Sequence, residues 1–319
     1  SAMKINASAF IFEIARSEMG YTDQKPLEYT TVILAAALAE GYKGPVFVQG
    51  DHFQVNAKNF KADPKKEVEG LKKLIRESID AGFYNIDIDS STVVDHTKPD
   101  LLEQQKENSA LCAELTAYIR SLEPKGVTIS VGGEIGEVGT QNSTPEDLRA
   151  FMSLYLKALP KGTQGISKIS VQTGTSHGGT VLADGSIAKV KLDFNVLKSI
   201  SEVCKKEYKM AGSVQHGAST LPEDEFHKFP QFDTAEVHLA TQFQNMVFDS
   251  KYFPADLKKK IYEWLKVDAA NEFKPGMTDE QFFYKARKKA LGPFKKDIMG
   301  IQDREKIAGE IEKKFAFLF

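Results

Sequence analysis

Pro45-Val46-Phe47-Val48-Gln49-Gly50-Asp51-His52-Phe53-Gln54-Val55-Asn56 is the stretch on which the fold turns. Val46-Phe47-Val48 reads as a buried strand entered after Gly44-Pro45. A short apolar run of β-branched and aromatic residues, bounded by Gly and Pro, favours a strand over a helix. The strand then delivers Gly50, Asp51 and His52 at its end. Neighbouring side chains on a strand point to opposite faces, so a twist at Gly50 is needed to bring the acid and the imidazole to one site. Taken alone, the tripeptide is equally a strand end with a solvated Asp and a capped His. Recurrence of the pattern along the chain separates the two readings.

Further strands are predicted over 9–15, 84–90, 127–134, 166–173, 211–215 and 235–240. Helices are predicted between them: 26–40, 64–81 with Asp63 as N-cap and Gly82 as stop, 100–122, 144–159 and 192–208. A stretch centred on Asp184-Gly185 reads as a hairpin loop. Strands alternating with helices indicate a parallel α/β sheet. The polar residues fall at strand C-terminal ends: Asp51-His52, Asp89, Glu134, His177 and His216. In a parallel barrel these ends converge on one face. An open doubly wound sheet is the alternative, but it gathers its ligand at one switch point rather than around a ring. No G-x-G-x-x-G or Walker sequence is present. The expected fold is therefore a TIM (β/α)8-type barrel. Seven strands are found rather than eight, so either the first strand is lacking from this chain or one has gone unrecognised.

A length of 319 residues suits a barrel with additions, and 41% hydrophobic and 27% charged residues suit a full core. The net charge of −2 gives no field for nucleic acid or a membrane surface. Neither a spanning segment nor a signal peptide is visible, and Cys112 and Cys204 lie far apart in helical patterns as two reduced thiols. The expected location is cytoplasmic. After Phe248 the chain turns helical and lysine-rich, with no further strand-end motif. We therefore expect a barrel domain over 1–249 and a helical extension over 250–319, packed on the barrel or on a second subunit.

Zinc catalysis needs about three protein ligands and an open position. His52, Glu134, His177 and His216 supply ligand types from separate strands, whose rigidity suits a metal site. His96, in a polar loop, and His227, in an amphipathic segment, read as structural.

In order and spacing these motifs resemble the class II, metal-dependent ketose-bisphosphate aldolases, over roughly residues 9–249. Asp51-His52 resembles that family's Asp-His, in which Asp51 would be the general acid/base and His52 a zinc ligand. Asp89 in Ile88-Asp89-Ser90-Ser91 resembles the acid that touches the metal in an alternate position, with Asp87 as a rival. Glu134 in Gly-Gly-Glu-Ile-Gly resembles a Glu-Leu-Gly motif close to the metal. His177 in Gly-Thr-Ser-His-Gly and His216-Gly-Ala-Ser219 resemble the other two zinc-binding motifs. The resemblance implies Zn2+, with a monovalent cation as a further candidate, and a small phosphorylated sugar as substrate. Cleavage would pass through the enediolate of dihydroxyacetone phosphate. Gly178, Gly217 and Ser219 would offer amides and a hydroxyl to a phosphate. His238 and Thr241 on the last strand motif, and Arg287 in the tail, would contact substrate. A homodimer or homotetramer is implied.

Several positions depart from the family. His238 stands where Asn is usual, Val181 where some members carry Lys, and Gln141-Asn142 where acids are common, leaving Glu137 as a weak substitute for the loop acid. These touch substrate handling more than metal binding. Gly50-Asp-His-Phe-Gln-Val-Asn56 also resembles a motif of non-catalytic subunits associated with tagatose-bisphosphate aldolase, so a binding or chaperone-like partner on the same fold is the alternative to an enzyme.

Overall fold

The computed structural model describes residues 1–7, 9–136, 141–174, 181–182, 188 and 192–318. Seven strands form one parallel sheet in sequence order: β1 (Ile11–Ala15), β2 (Phe47–Gln54), β3 (Asn85–Asp89), β4 (Ser130–Glu134), β5 (Lys168–Val171), β6 (Ser213–Gln215) and β7 (Glu236–Val237). Each pair is parallel, with β1 to β2 in register from Ile11 opposite Phe47 to Ala15 opposite Asp51. Strand twist curls such a sheet. The curl is visible in the side chains: Glu13 on β1 meets His238, just beyond β7, at 2.9 Å. Lys168 on β5 reaches both Asp87 on β3 (3.1 Å) and Glu236 on β7 (2.5 Å). The architecture is a seven-stranded curled sheet of TIM-barrel type, one strand short of a closed eight-stranded barrel among the described residues.

Helices follow the strands: α1 (Arg16–Tyr21), α2 (Pro26–Ala39), α3 (Ala57–Ala62), α4 (Pro64–Asp80), α5 (Leu101–Ser121), α6 (Pro145–Ala158), α7 (Phe194–Val203), the short α8 (Lys228–Gln231) and α9 (Thr241–Asp249). The signals for α4 act as expected: Asp63 accepts from the Lys66 amide, Pro64 occupies the first turn, and Gly82 leaves with φ +91°. Leu71, Ile75 and Ile79 then bury one face of α4 in the main core. Thr144 and Asp147 close a capping box on α6. The expected helix over 192–208 is α7 followed by a π turn, Cys204–Tyr208. The Asp184-Gly185 hairpin lies outside the described residues.

The tail folds as α10 (Ala255–Asp268), α11 (Asp279–Ala286), α12 (Lys295–Met299) and α13 (Arg304–Leu318). Phe248, Ile261, Leu265, Phe282 and Phe294 belong to its own apolar cluster, apart from the core under the sheet. It also touches the barrel side of the chain. The Gly292 amide donates to the Tyr21 carbonyl at 2.8 Å, and Lys295 pairs with Glu28 at 2.5 Å. Cys112 and Cys204 are free and buried. No helix among the described residues is long and apolar enough to cross a membrane.

Candidate metal centre and pocket

Strand β2 runs on past the Gly50-Asp51-His52 tripeptide to Gln54 and is bent within it. Its register against β3 shifts between Gly50 and Phe53, and His52 holds φ +41°. This is the twist that the tripeptide required, carried by a bulge. Gly50 is needed there, because a Cβ would overlap the Phe53 ring. A left-handed backbone at histidine is strained, so the surroundings must hold it. They do so through the ring: Nδ1 lies 2.9 Å from Asp89 Oδ2 and 3.3 Å from Glu134 Oε2.

Asp89 is fixed in turn, accepting from the Ser91 hydroxyl (2.8 Å) and the Gln54 amide (2.6 Å). Its rival Asp87 faces the barrel interior, 3.1 Å from the Lys168 ammonium. His216, just past the end of β6, lies against His52 with ring centroids 4.0 Å apart and the rings tilted by 48°. Its Nε2 is 3.4 Å from Asp51 Oδ1, and its Nδ1 is 3.8 Å from Glu134 Oε2. Asp51, Asp89, Glu134 and His216 are all buried. Four strand ends therefore bring Asp51, His52, Asp89, Glu134 and His216 together. His177 and Gly178 lie outside the described residues, as does Glu137.

The electrostatics fit a cation. Burial, reinforced by the charge of Asp89 and only partly opposed by His52, pushes the Glu134 carboxyl up to about 8. Burial also drives His216 down to about 3, with the charge of His52 adding to the effect, so its imidazole is neutral and carries a ligand lone pair. For His52, burial is outweighed by Asp51 and Glu134, which hold the ring well above the ordinary imidazole value. The acids that keep the buried His52 ring charged set a negative potential at this point, which a cation would meet. Asp51, His52 and His216 offer nitrogen and oxygen donors within 4.8 Å of one another, and so do His52, Asp89 and Glu134. Nitrogen and carboxylate donors at such spacing suit a zinc ion.

These groups open on a cavity of about 380 Å³ lined by Asp51, His52, His216 and His238 on one side, and by α1 and Lys288 on another. Gly217, Ser219 and Thr241 also line it. Gly217 has φ +69° and starts a 3₁₀ turn, Ala218–Thr220. Arg287 is not brought to the cavity. Its guanidinium forks onto Asp249 (2.5 and 2.7 Å), donates to Asn245 at 2.7 Å, and is buried in the tail. Its neighbour Lys288 lines the cavity instead, with burial holding its pKa down. Arg16, Glu13, Glu18 and Tyr21 are further lining residues that the strand-end pattern could not point to.

The profile of the family described as Fructose-bisphosphate aldolase class-II matches residues 1–297. The chain belongs to the class II aldolase family. No curated protein matches it. Among solved structures, this class II aldolase homologue is similar to a probable tagatose 6 phosphate kinase from Sinorhizobium meliloti. The identity is 17% and the TM-score 0.67, with 96% of this chain and 82% of the other covered. It is also similar to fructuronate-tagaturonate epimerase from Cohnella laeviribosi, at 13% identity and TM-score 0.59, covering 99% and 75%. At these identities the likeness concerns the fold.

Proposed function

We propose that this class II aldolase homologue is a zinc-dependent aldolase that cleaves or forms a phosphorylated ketose and retains dihydroxyacetone phosphate as one half of its substrate. The observation that carries this reading is the convergence of Asp51, His52 and His216 at one cavity, with Asp89 and Glu134 buttressing His52. His52, His216 and His177 would hold the metal. Bound there, zinc supplies a Lewis acid that polarises a ketone and stabilises the charge left by carbon–carbon cleavage. Asp51 exchanges the hydroxyl proton whose removal drives cleavage. Burial raises its pKa, but the charges of His52 and His238 outweigh this and hold it well below the usual carboxylate range, so it is ionised. Gly217 and Ser219, on the cavity wall, orient the phosphate. A homodimer or homotetramer is the assembly we propose with it.

The test is proton exchange at the reactive carbon of dihydroxyacetone phosphate in deuterated water, followed by NMR with the zinc-loaded protein and no aldehyde. Exchange well above buffer is expected, and Asp51→Ala should lose about 10²–10⁴-fold of it while keeping the zinc held by the histidines. No exchange in the loaded protein would favour the non-catalytic subunit. An exchange-competent protein should take an aldehyde other than glyceraldehyde 3-phosphate, because His238, Val181 and Gln141-Asn142 replace groups that the family sets around substrate. Strong preference for glyceraldehyde 3-phosphate would refute that part.

A further inference from the structure

We propose that Arg16 builds a carboxylate subsite in the cavity, so that the aldehyde half of the substrate carries a carboxylate group. Arg16 follows Ala15, the β1 residue in register with Asp51 on β2, and so stands next in line to the acid/base. Its guanidinium is held through Nη1 alone, which donates to the Gln54 carbonyl at 2.6 Å and to Glu67 Oε1 at 2.5 Å. Glu67 is fixed in turn: it is buried and also accepts from the Asn56 amide at 2.9 Å. The other edge of Arg16, Nε and Nη2, makes no hydrogen bond among the described residues and keeps its N–H donors. Arg16 lines the cavity with 30% of its side chain exposed. With Nη1 turned into the protein, the Nε–Nη2 edge is what remains for the cavity.

The shape of that edge selects its ligand. Nε–H and one N–H of Nη2 run parallel and match the two oxygens of a planar carboxylate as a fork. The cavity groups suited to a phosphate are different ones, Gly217 with φ +69° and Ser219, and the aldolase reading already gives them to dihydroxyacetone phosphate. Charge points the same way. Glu67 balances Arg16, so the positive charge for a further anion comes from Lys288. Its ammonium makes no hydrogen bond or ion pair among the described residues and lies 5.5 Å over the Tyr21 ring, on the wall of the same cavity. Asp51 lines that cavity too, so a singly charged carboxylate is repelled less than a doubly charged phosphate. Lysine is a point charge that attracts any anion, whereas the planar edge of Arg16 chooses among them. In cleavage, the breaking carbon–carbon bond leaves its electron pair on the dihydroxyacetone phosphate half. The hydroxyl proton passes to Asp51, and the other half leaves as an aldehyde whose carboxylate rests on Arg16.

The inference rests on the aldolase reading for its chemistry but not for its binding, and the test has an arm for each. In the binding arm, zinc-loaded full-length protein is titrated with 3-hydroxypropanoate and with propane-1,3-diol, its neutral counterpart, by saturation-transfer NMR. The acid should bind about tenfold more tightly than the diol, the size of a charge-assisted hydrogen bond. Arg16→Lys keeps the charge, loses the fork and should remove most of that preference. In the kinetic arm, with dihydroxyacetone phosphate fixed, 2-hydroxy-3-oxopropanoate should show a kcat/KM about tenfold above those of glyceraldehyde 3-phosphate and glyceraldehyde. Arg16→Lys should lower the ratio of carboxylated to neutral aldehyde by a similar factor, whereas Lys288→Ala should weaken both anionic aldehydes alike. Because Arg16 also ties Gln54 and Glu67, the ratio is the readout: loosened packing lowers both substrates together. The wild-type comparisons depend on no variant. Equal affinity for acid and diol, or a carboxylate preference that survives in Arg16→Lys, overturns the subsite. Turnover of aldehydes without that preference would leave the aldolase reading standing and the subsite refuted. Arg16-dependent binding of the acid without turnover of any aldehyde would do the reverse.

Discussion

At His52, a strained backbone and a ring gripped by Asp89 and Glu134 are two sides of one arrangement, since the bulge that costs strain is what brings Asp51 and His52 to a single cavity. Arg287 and Lys288 are adjacent yet play unlike parts. Arg287→Ala removes a buried fork onto Asp249 and should cost roughly 1–3 kcal/mol in urea unfolding. It should leave the KM for a phosphorylated aldehyde unchanged. Lys288→Ala should raise that KM about tenfold with kcat little altered, the signature of lost uniform binding. A raised KM in Arg287→Ala would mean that the fork opens in solution. The sequence shows why Asp51, His52, Glu134 and His216 belong together, because each falls at a predicted strand end in a glycine-containing motif. It does not show Lys288, because helical periodicity leaves open which neighbour in a basic run meets a cavity. Glu13 was hidden for a related reason: as an acid within a strand, it gives no sign that the sheet curls to bring it to His238.

Element boundaries were legible where local chemistry fixes them, as at Asp63-Pro64, Thr144 and Gly82. They were less so where tertiary packing decides. β7 is only Glu236–Val237, within a stretch whose pattern suggested six residues. The helix α2 is the plainest case. Its apolar residues Leu27, Val32, Leu34 and Leu38 suggest a core face, but all four are exposed, and the helix instead buries Pro26, Thr30 and Ile33. Nearly every position of α2 is apolar or small, so composition cannot select a face. Ile33→Ala should therefore cost about 2–5 kcal/mol. Leu38→Ala should stay within about 0.5 kcal/mol. Equal losses for the two, measured by urea unfolding, would show that the outer face of α2 is covered in solution.

Across the whole molecule, the inside of the curled sheet is held by charge where a barrel of this type is usually filled by layers of branched apolar side chains. Lys168 is the hub: its ammonium meets Asp87 at 3.1 Å, Glu236 at 2.5 Å and the Gln49 side-chain Oε1 at 2.8 Å, tying β2, β3, β5 and β7 together. Burial lowers the pKa of Lys168, but Asp87 and Glu236 outweigh that and raise it overall, so the residue stays charged. Removing one partner of a buried ion pair costs about 3–5 kcal/mol, because the other charge is left without compensation. Lys168→Met should lose about that much, with Asp87 left without its ammonium while Glu236 keeps His238. The loss should also depend on pH in a definite sense. Even with Lys168 present, burial holds Asp87 up at about 6. Without it, Asp87 would rise further above its unfolded value, so the folded state would bind more protons than the unfolded one. Stability then falls as pH rises through the folded pKa and recovers on acidification. The deficit of Lys168→Met against the wild type should be larger at pH 8 than at pH 5, and adding Asp87→Asn should recover part of it at pH 8. A deficit independent of pH, and unrelieved by Asp87→Asn, would mean that Lys168 supports the sheet by filling space, and that charge balance is not what holds the interior.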